Sequence, residues 1–109
     1  RVVERMDAFL SETDEAGRMP PAGKVALVAV VGNEDGAHHC HAAMFQALND
    51  VGFTIPANAG LYWVGEAMGD VNYVDLKSIP DTVRTTLDTA AANAAHLARL
   101  LRRETYPGG

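Results

Sequence analysis

Three histidines and the single cysteine of the chain are adjacent, at positions 38–41. His38 and His41 are three residues apart, a spacing that places two side chains on one face of a helix. A zinc-type site would need further ligands at a recognised spacing, and the sequence offers none. Cys40 as a nucleophile would need an orienting base and exposure to solvent. We therefore predict neither a metal site nor a catalytic residue in this segment.

A short polar turn directly before the histidines is a better candidate for a binding site. It separates a continuous apolar run from an amphipathic segment. In open α/β sheets, ligands bind at such turns between a strand and the helix that follows it. We predict a ligand site at this turn, with His38 as the nearest side chain of the helix. The residues of the turn are Gly32, Asn33, Glu34, Asp35 and Gly36.

Two adjacent aromatic residues, Tyr62 and Trp63, lie in a glycine-containing stretch that we predict as a long loop, residues 57–77. Long loops without secondary structure in compact domains are usually functional or mobile. The two rings could stack on a planar ligand or pack against a partner subunit. The alternative is that one ring packs in the core and the other is exposed. We include both residues in the predicted site.

The elements that must position these residues alternate between helix and strand. The apolar run 24–31 has no polar alternation, which predicts a central strand buried on both faces. Residues 35–50 form a predicted helix, capped by Asp35 or Asn33. Residues 53–55, closed by Pro56, form a second short strand and complete a βαβ unit. The predicted core-facing stripe of the helix consists of Ala37, Cys40, Met44, Ala47, Leu48 and Val51.

Two further helices flank this unit. The apolar periodicity before residue 11 predicts a first helix, and a last helix begins near Ser78 and ends at Arg103. The predicted order is helix, strand, helix, strand, helix. Two strands cannot bury a central strand on both sides, so we expect neighbouring strands from upstream sequence or from another chain. Residues 1–109 are thus predicted to be part of a single α/β domain.

Composition narrows the class of protein. The formal charge is −5, with no basic cluster, which argues against nucleic-acid binding. No apolar stretch approaches the roughly 20 residues that a membrane span requires. One cysteine cannot form an internal disulfide, so an oxidising compartment is not required. These features predict a soluble cytoplasmic protein that does not bind membranes.

The segment from residue 23 to residue 70 resembles the C-terminal half of NAD(P)H-dependent FMN reductases of the flavodoxin-like fold. The resemblance is carried by the strand, glycine, turn and helix order together with the Gly-Phe-x-Ile-Pro pattern at 52–56, and residues 1–7 are similar to the third helix of that family. It implies a parallel sheet of five strands with helices on both faces. This chain would supply the fourth and fifth strands, and the N-terminal strands and phosphate loop would lie outside it.

The same resemblance implies an FMN-dependent NAD(P)H oxidoreductase, a homo-oligomer that passes hydride through FMN to a small-molecule electron acceptor such as a flavin or quinone. Residues 32–38 would lie beside the isoalloxazine ring. Glu34 and Asp35 would repel a phosphate, so the turn is better suited to offer backbone N–H groups to the uncharged ring. The alternatives are an electron-transfer module of flavodoxin type, a non-enzymatic α/β binding module and an inactive fragment.

Overall fold

The computed structural model describes residues 1–33 and 35–108, and it shows an α/β arrangement with two parallel strands. The prediction of an α/β protein with parallel strands is confirmed. Two 3-10 helices, Asp7–Leu10 and Tyr73–Asp75, accompany the main elements. In chain order the main elements are α1 (Val2–Met6), β1 (Val28–Gly32), α2 (Ala37–Asp50), β2 (Gly60–Val64) and α3 (Asp81–Arg103).

The two strands run in parallel and in register along their whole length. Val28 lies opposite Gly60 at one end of the ladder, and Gly32 lies opposite Val64 at the other. Helix α2, which connects the strands, packs against both of them, whereas α3 packs against β2. The carboxyl ends of both strands therefore meet at one edge of the sheet.

The predicted second strand at 53–55 is wrong. Those residues form only an isolated bridge, in which Thr54 pairs with Val25. The second strand is β2, inside the stretch predicted as a loop. Its residues 61–64 are large, aromatic or β-branched, which favours a strand. The glycines at positions 60 and 65 suggested a loop, but they mark the limits of this strand.

The first strand is shorter and less buried than predicted. It begins at Val28 rather than at residue 24. Val28 is buried, but Val31 on the opposite face is 60% exposed. The physical reason is that α3 covers β2 and leaves this face of β1 open. The chain as a whole is also less compact than a typical domain: its radius of gyration is 16.3 Å, whereas about 13 Å is expected for a compact domain of this length.

The predicted buried stripe of α2 is confirmed at Ala37 and Val51, which are buried, but it is wrong at Cys40. Cys40 is exposed and His41 is buried, with 7% of its surface accessible. The predicted cap is also wrong. Gly36, at φ 122°, caps the helix without a side-chain hydrogen bond, and the carboxylate of Asp35 instead accepts the N–H of Gly36 at 2.7 Å. A backbone conformation of this kind favours glycine.

The segment before β1 is ordered by a local polar cluster. The guanidinium of Arg18 pairs with the carboxylate of Asp14 at 2.8 Å and also donates to the carbonyl of Tyr106 at 3.2 Å. The hydroxyl of Tyr106 lies 2.8 Å from that of Thr54. Tyr106, near the C-terminus, is thereby attached both to the segment before β1 and to the segment between α2 and β2.

Within residues 1–33 and 35–108, none of the helices is both long and apolar enough to cross a membrane.

Candidate functional site

The loops that follow the two strands are joined at the carboxyl edge of the sheet. The N–H of Gly65 donates to the carbonyl of Gly32 at 3.0 Å. The side-chain amide of Asn33 donates to the side-chain oxygen of Asn72 at 2.6 Å. We call this region, formed by residues 32–33 and 65–72, the carboxyl edge. It is the position at which parallel α/β sheets bind their ligands.

The loop after β2 is closed by its own hydrogen bonds. The N–H of Gly69 donates to the carbonyl of Glu66 at 2.9 Å, which closes a tight turn. Asn72 and Asp75 then cap the second 3-10 helix reciprocally, and the N–H of Asn72 reaches the Asp75 carboxylate at 2.9 Å. Since Asn72 also accepts the hydrogen bond from Asn33, one side chain holds both loops in place.

The adjacent residues Tyr62 and Trp63 lie on opposite faces of the sheet, because successive side chains of a strand alternate. The ring of Tyr62 meets His38 edge-on, with the ring centroids 5.1 Å apart. The indole of Trp63 meets Tyr73 at a centroid distance of 5.6 Å. The two aromatic residues of the predicted site therefore cannot stack together on one planar ligand.

His41 is the centre of a ring cluster under α2. Its Nε2 lies 3.1 Å from the carbonyl of Leu61, and since a carbonyl only accepts, Nε2 carries the proton. Its ring also neighbours Phe45 and Tyr62, at centroid distances of 5.6 Å and 6.0 Å. A Cβ atom at Gly60 would lie 3.0 Å from this imidazole, so glycine at position 60 makes room for it.

Sequence reasoning missed His41 because the stripe was counted through Cys40. Counting every fourth or third residue from Ala37 through His41, Phe45 and Leu48 would have given an equally regular stripe. In the structure the hydrogen bond of His41 to Leu61 satisfies the ring nitrogen, which makes its burial tolerable.

The structure brings together only some of the predicted site residues. Gly32 and Asn33 lie at the carboxyl edge beside Trp63, whereas His38 lies with Tyr62 on the α2 side of the sheet. Asp35 and Gly36 lead into the first turn of α2. Glu34 is outside the described residues.

The part of the chain that the structure describes contains no group of three histidine, cysteine, aspartate or glutamate side chains that could hold a metal ion.

Two cavities differ in position and character. One, of about 440 Å³, lies at the carboxyl edge between Trp63 and the turn at residues 65–71. The other, of about 1270 Å³, lies beside the residues that precede β1 and the second half of α3, where Leu27, Ala94 and Leu101 contribute to its wall. The larger cavity is an open groove away from the carboxyl edge, and charged side chains such as Asp14, Lys24 and Arg102 also line it. The smaller cavity is formed by the end of β2 and the loop that follows it.

No family model matches this chain. It is 30% identical over 106 residues to the 8-demethyl-8-aminoriboflavin-5'-phosphate synthase of Streptomyces davaonensis, covering 96% of this chain and 41% of that protein. It is 35% identical over 105 residues to the divalent metal cation transporter MntH of Mycobacterium bovis, covering 94% of this chain and 15% of the transporter.

A solved structure also matches this chain. The crystal structure of RosB with its bound intermediate, 8-demethyl-8-formylriboflavin-5'-phosphate, matches this chain with a TM-score of 0.87 at 30% sequence identity. The match covers 97% of this chain and 42% of RosB. The chain thus spans less than half the length of each of these proteins.

These findings correct the predicted function. The prediction of an FMN-dependent NAD(P)H oxidoreductase is wrong, because the synthase of Streptomyces davaonensis and the structure of RosB point to a riboflavin-related synthase instead. Membership of the FMN reductase family, the homo-oligomer, the electron acceptor and the contacts of the individual site residues stay predictions.

Proposed function

We propose that this chain forms part of an enzyme that binds a riboflavin 5'-phosphate and modifies it as a substrate. The observation that carries the proposal is the match to RosB, at 30% identity and a TM-score of 0.87 over 97% of the chain, since that protein was solved with a flavin phosphate intermediate bound. The chemistry proposed is a change of substituent on the flavin rather than hydride transfer from a nicotinamide.

The carboxyl edge supports this proposal. A flavin has a polar ring edge whose carbonyls need hydrogen-bond donors and an apolar edge that needs burial. Donors are available at the start of α2, because Gly36 has no side chain with which to cap the first-turn N–H groups. An apolar wall is available at Trp63, on the other side of the edge. The two halves of such a ligand therefore find complementary surfaces.

We also infer that the two strands belong to a larger flavodoxin-like sheet, of which this chain is a C-terminal portion. The parallel pairing and the helical connection through α2 support this arrangement. The exposed face of β1 supports it too, because Val31 is an apolar residue of that strand and is 60% exposed. The phosphate would then be held outside this chain, away from the acidic turn.

Binding and turnover test the proposal separately. The protein that carries this chain is titrated with riboflavin 5'-phosphate, and binding is followed by the change in flavin fluorescence. We expect saturable binding that is weaker for riboflavin without the phosphate. The bound flavin is then incubated with candidate co-substrates, and products are identified by mass and absorption spectrum. Absence of binding to any riboflavin phosphate would refute the proposal, as would rapid bleaching of the flavin by NADH or NADPH without formation of a modified flavin.

A further inference from the structure

We propose that the cavity beside Trp63 receives the edge of the flavin ring that carries the position-8 substituent. This inference rests on the proposed function and specifies which part of the ligand this chain recognises. We call the cavity the Trp63 cavity. It has a volume of about 440 Å³ and lies between the indole of Trp63 and the turn at residues 65–71.

The position of the Trp63 cavity is that of a ligand site. It lies at the carboxyl edge, where parallel sheets bind ligands. Its volume falls within the range of about 300–1,000 Å³ that is typical of small-molecule pockets. A flat ring that lies over the carboxyl ends of β1 and β2 could therefore place one edge in the cavity.

The chemistry of the wall selects the edge of the ring. Val64, Val71 and the indole of Trp63 provide apolar surface, whereas Glu66 and Asp70 place exposed carboxylates at the rim. Carboxylates repel a phosphate and the electron-rich carbonyl oxygens of the pyrimidine edge. The opposite edge of the isoalloxazine is a substituted benzene ring without carbonyls. It is the part of the flavin that this wall accepts.

The names of the compounds associated with the relatives agree with a subsite for this edge. The synthase of Streptomyces davaonensis is named for an 8-amino flavin phosphate, and RosB was solved with an 8-formyl flavin phosphate. Both compounds differ from riboflavin 5'-phosphate at position 8. A protein that distinguishes such compounds needs a surface that contacts this position.

The indole is held in place before any ligand arrives. A Cβ atom at Gly65 would lie 3.0 Å from Cη2 of Trp63, so the turn approaches the indole as closely as a glycine allows. A Cβ atom at Gly69 would lie 2.9 Å from the carbonyl oxygen of Glu66, which keeps the turn tight. The ring of Tyr73 also contacts the indole, at a centroid distance of 5.6 Å. A preorganised wall of this kind lowers the entropic cost of binding.

Substitution of Trp63 tests the inference. Dissociation constants for riboflavin 5'-phosphate and for 8-demethyl-8-formylriboflavin-5'-phosphate are measured with the full protein and with Trp63→Ala, Trp63→Phe and Val74→Ala. We expect Trp63→Ala to weaken binding of riboflavin 5'-phosphate by roughly tenfold and Trp63→Phe by less, because stacking on an aromatic side chain contributes on this scale. The ratio of the two constants changes in Trp63→Ala. Val74, which is 85% exposed, is the control, and its substitution changes neither constant.

Tyr62→Ala is measured in parallel because Tyr62 lies on the opposite face of β2 from Trp63. A loss of affinity in Tyr62→Ala that exceeds the loss in Trp63→Ala overturns the inference and places the ring on the α2 side of the sheet. Equal affinity of the parent protein and Trp63→Ala for both flavins also overturns it.

Spectroscopy distinguishes failure of the assignment of the Trp63 cavity from misfolding and from failure of the proposed function. Circular dichroism shows whether each variant is folded, and Trp63→Phe retains an aromatic ring in the wall. The tryptophan emission of the parent protein minus that of Trp63→Phe reports on Trp63, and we expect bound flavin to quench it. If the parent protein binds no flavin phosphate, the proposed function fails. If it binds flavin without quenching the difference emission, only the assignment of the Trp63 cavity fails.

Discussion

The side-chain amide of Asn33 donates a hydrogen bond to the side-chain oxygen of Asn72 across 2.6 Å, between residues 39 positions apart in the chain. Asn33 follows β1 and Asn72 lies in the loop after β2, so the contact joins the two loops that form the carboxyl edge. Asn72 also caps the 3-10 helix that presents Tyr73 to Trp63. The Trp63 cavity lies after β2, and its geometry therefore depends on a contact with Asn33, in the loop that follows β1.

Asn33→Ala and Asn72→Ala are expected to differ in effect. Asn33→Ala removes only the bond between the loops, which costs about 0.5–1.5 kcal/mol in free energy of unfolding. Asn72→Ala also removes a capping side chain, which adds about 1 kcal/mol. Urea unfolding of both variants and of the double variant measures the coupling between the two residues. Additive effects of the two single substitutions would contradict a direct contact.

His41→Leu is expected to destabilise the fold although it replaces a polar side chain by an apolar one. The hydrogen bond from Nε2 to the carbonyl of Leu61 is lost, and the loss of one such bond costs about 0.5–1.5 kcal/mol. His41→Gln retains a donor and is expected to lose less. Denaturant unfolding provides the measurement, and the exposed neighbour His39→Leu is the matched control. An equal loss in His39→Leu would contradict the burial of His41.

Gly60→Ala tests the close approach of the same imidazole. An added Cβ atom would lie 3.0 Å from both Cε1 and Nδ1 of His41, so the ring or the strand has to move. Overpacking of this kind costs about 1–3 kcal/mol. We expect the cost to fall when Gly60→Ala is combined with His41→Ala, because the clash is then absent. An undiminished cost in the double variant would assign the effect to the backbone at position 60 instead.

These side chains also show how far the sequence predicted the structure. The α/β class, the two parallel strands and the helix after the acidic turn followed from the apolar run at 24–31 and the periodicity after it. The second strand was misplaced because Gly60 and Gly65 resemble loop residues, while pairing with β1 decides where a strand forms. The burial of His41 in place of Cys40 was not predicted, because it depends on Leu61, whose position only the fold determines.

The candidate site, like the fold, was predicted from the sequence only in part. The turn at Gly32 and Asn33 was predicted, because a glycine after a buried strand marks the carboxyl edge of a parallel sheet. The separation of Tyr62 from Trp63 was not, since it follows from the alternation of side chains in a strand that had been assigned as a loop. The bond from Asn33 to Asn72 joins distant parts of the chain and has no local signal.

Asp14 is expected to make the segment before β1 sensitive to acid. Its carboxylate accepts the backbone N–H of Arg18 at 2.9 Å and pairs with the Arg18 guanidinium, and these contacts hold the pKa of Asp14 below its ordinary value of 3.8. Because the folded pKa is the lower one, this stabilisation is fully present above the unfolded value. It is lost as the pH falls through the folded pKa.

Thermal unfolding between about pH 2 and pH 6 measures this effect, since the contribution appears across the two pKa values. We expect Asp14→Asn to lower the unfolding temperature near neutral pH and to flatten its decrease in acid. Glu15→Gln, at the exposed neighbouring position, serves as the control for the change in net charge. If the unfolding temperature of Asp14→Asn varies with pH just as that of the parent protein does, the contacts of Asp14 contribute nothing to stability.

The register of α2 can be tested by the reactivity of its cysteine. Because Cys40 is exposed and His41 is buried, we expect the thiol to react with Ellman's reagent in the folded protein nearly as fast as in urea. The stripe inferred from the sequence would instead bury Cys40 and protect it. Moving the cysteine to the adjacent buried position, by combining Cys40→Ser with His41→Cys, provides the matched comparison. The moved thiol is expected to react many times more slowly until denaturant is added, and equal rates for the two thiols would contradict the helix register.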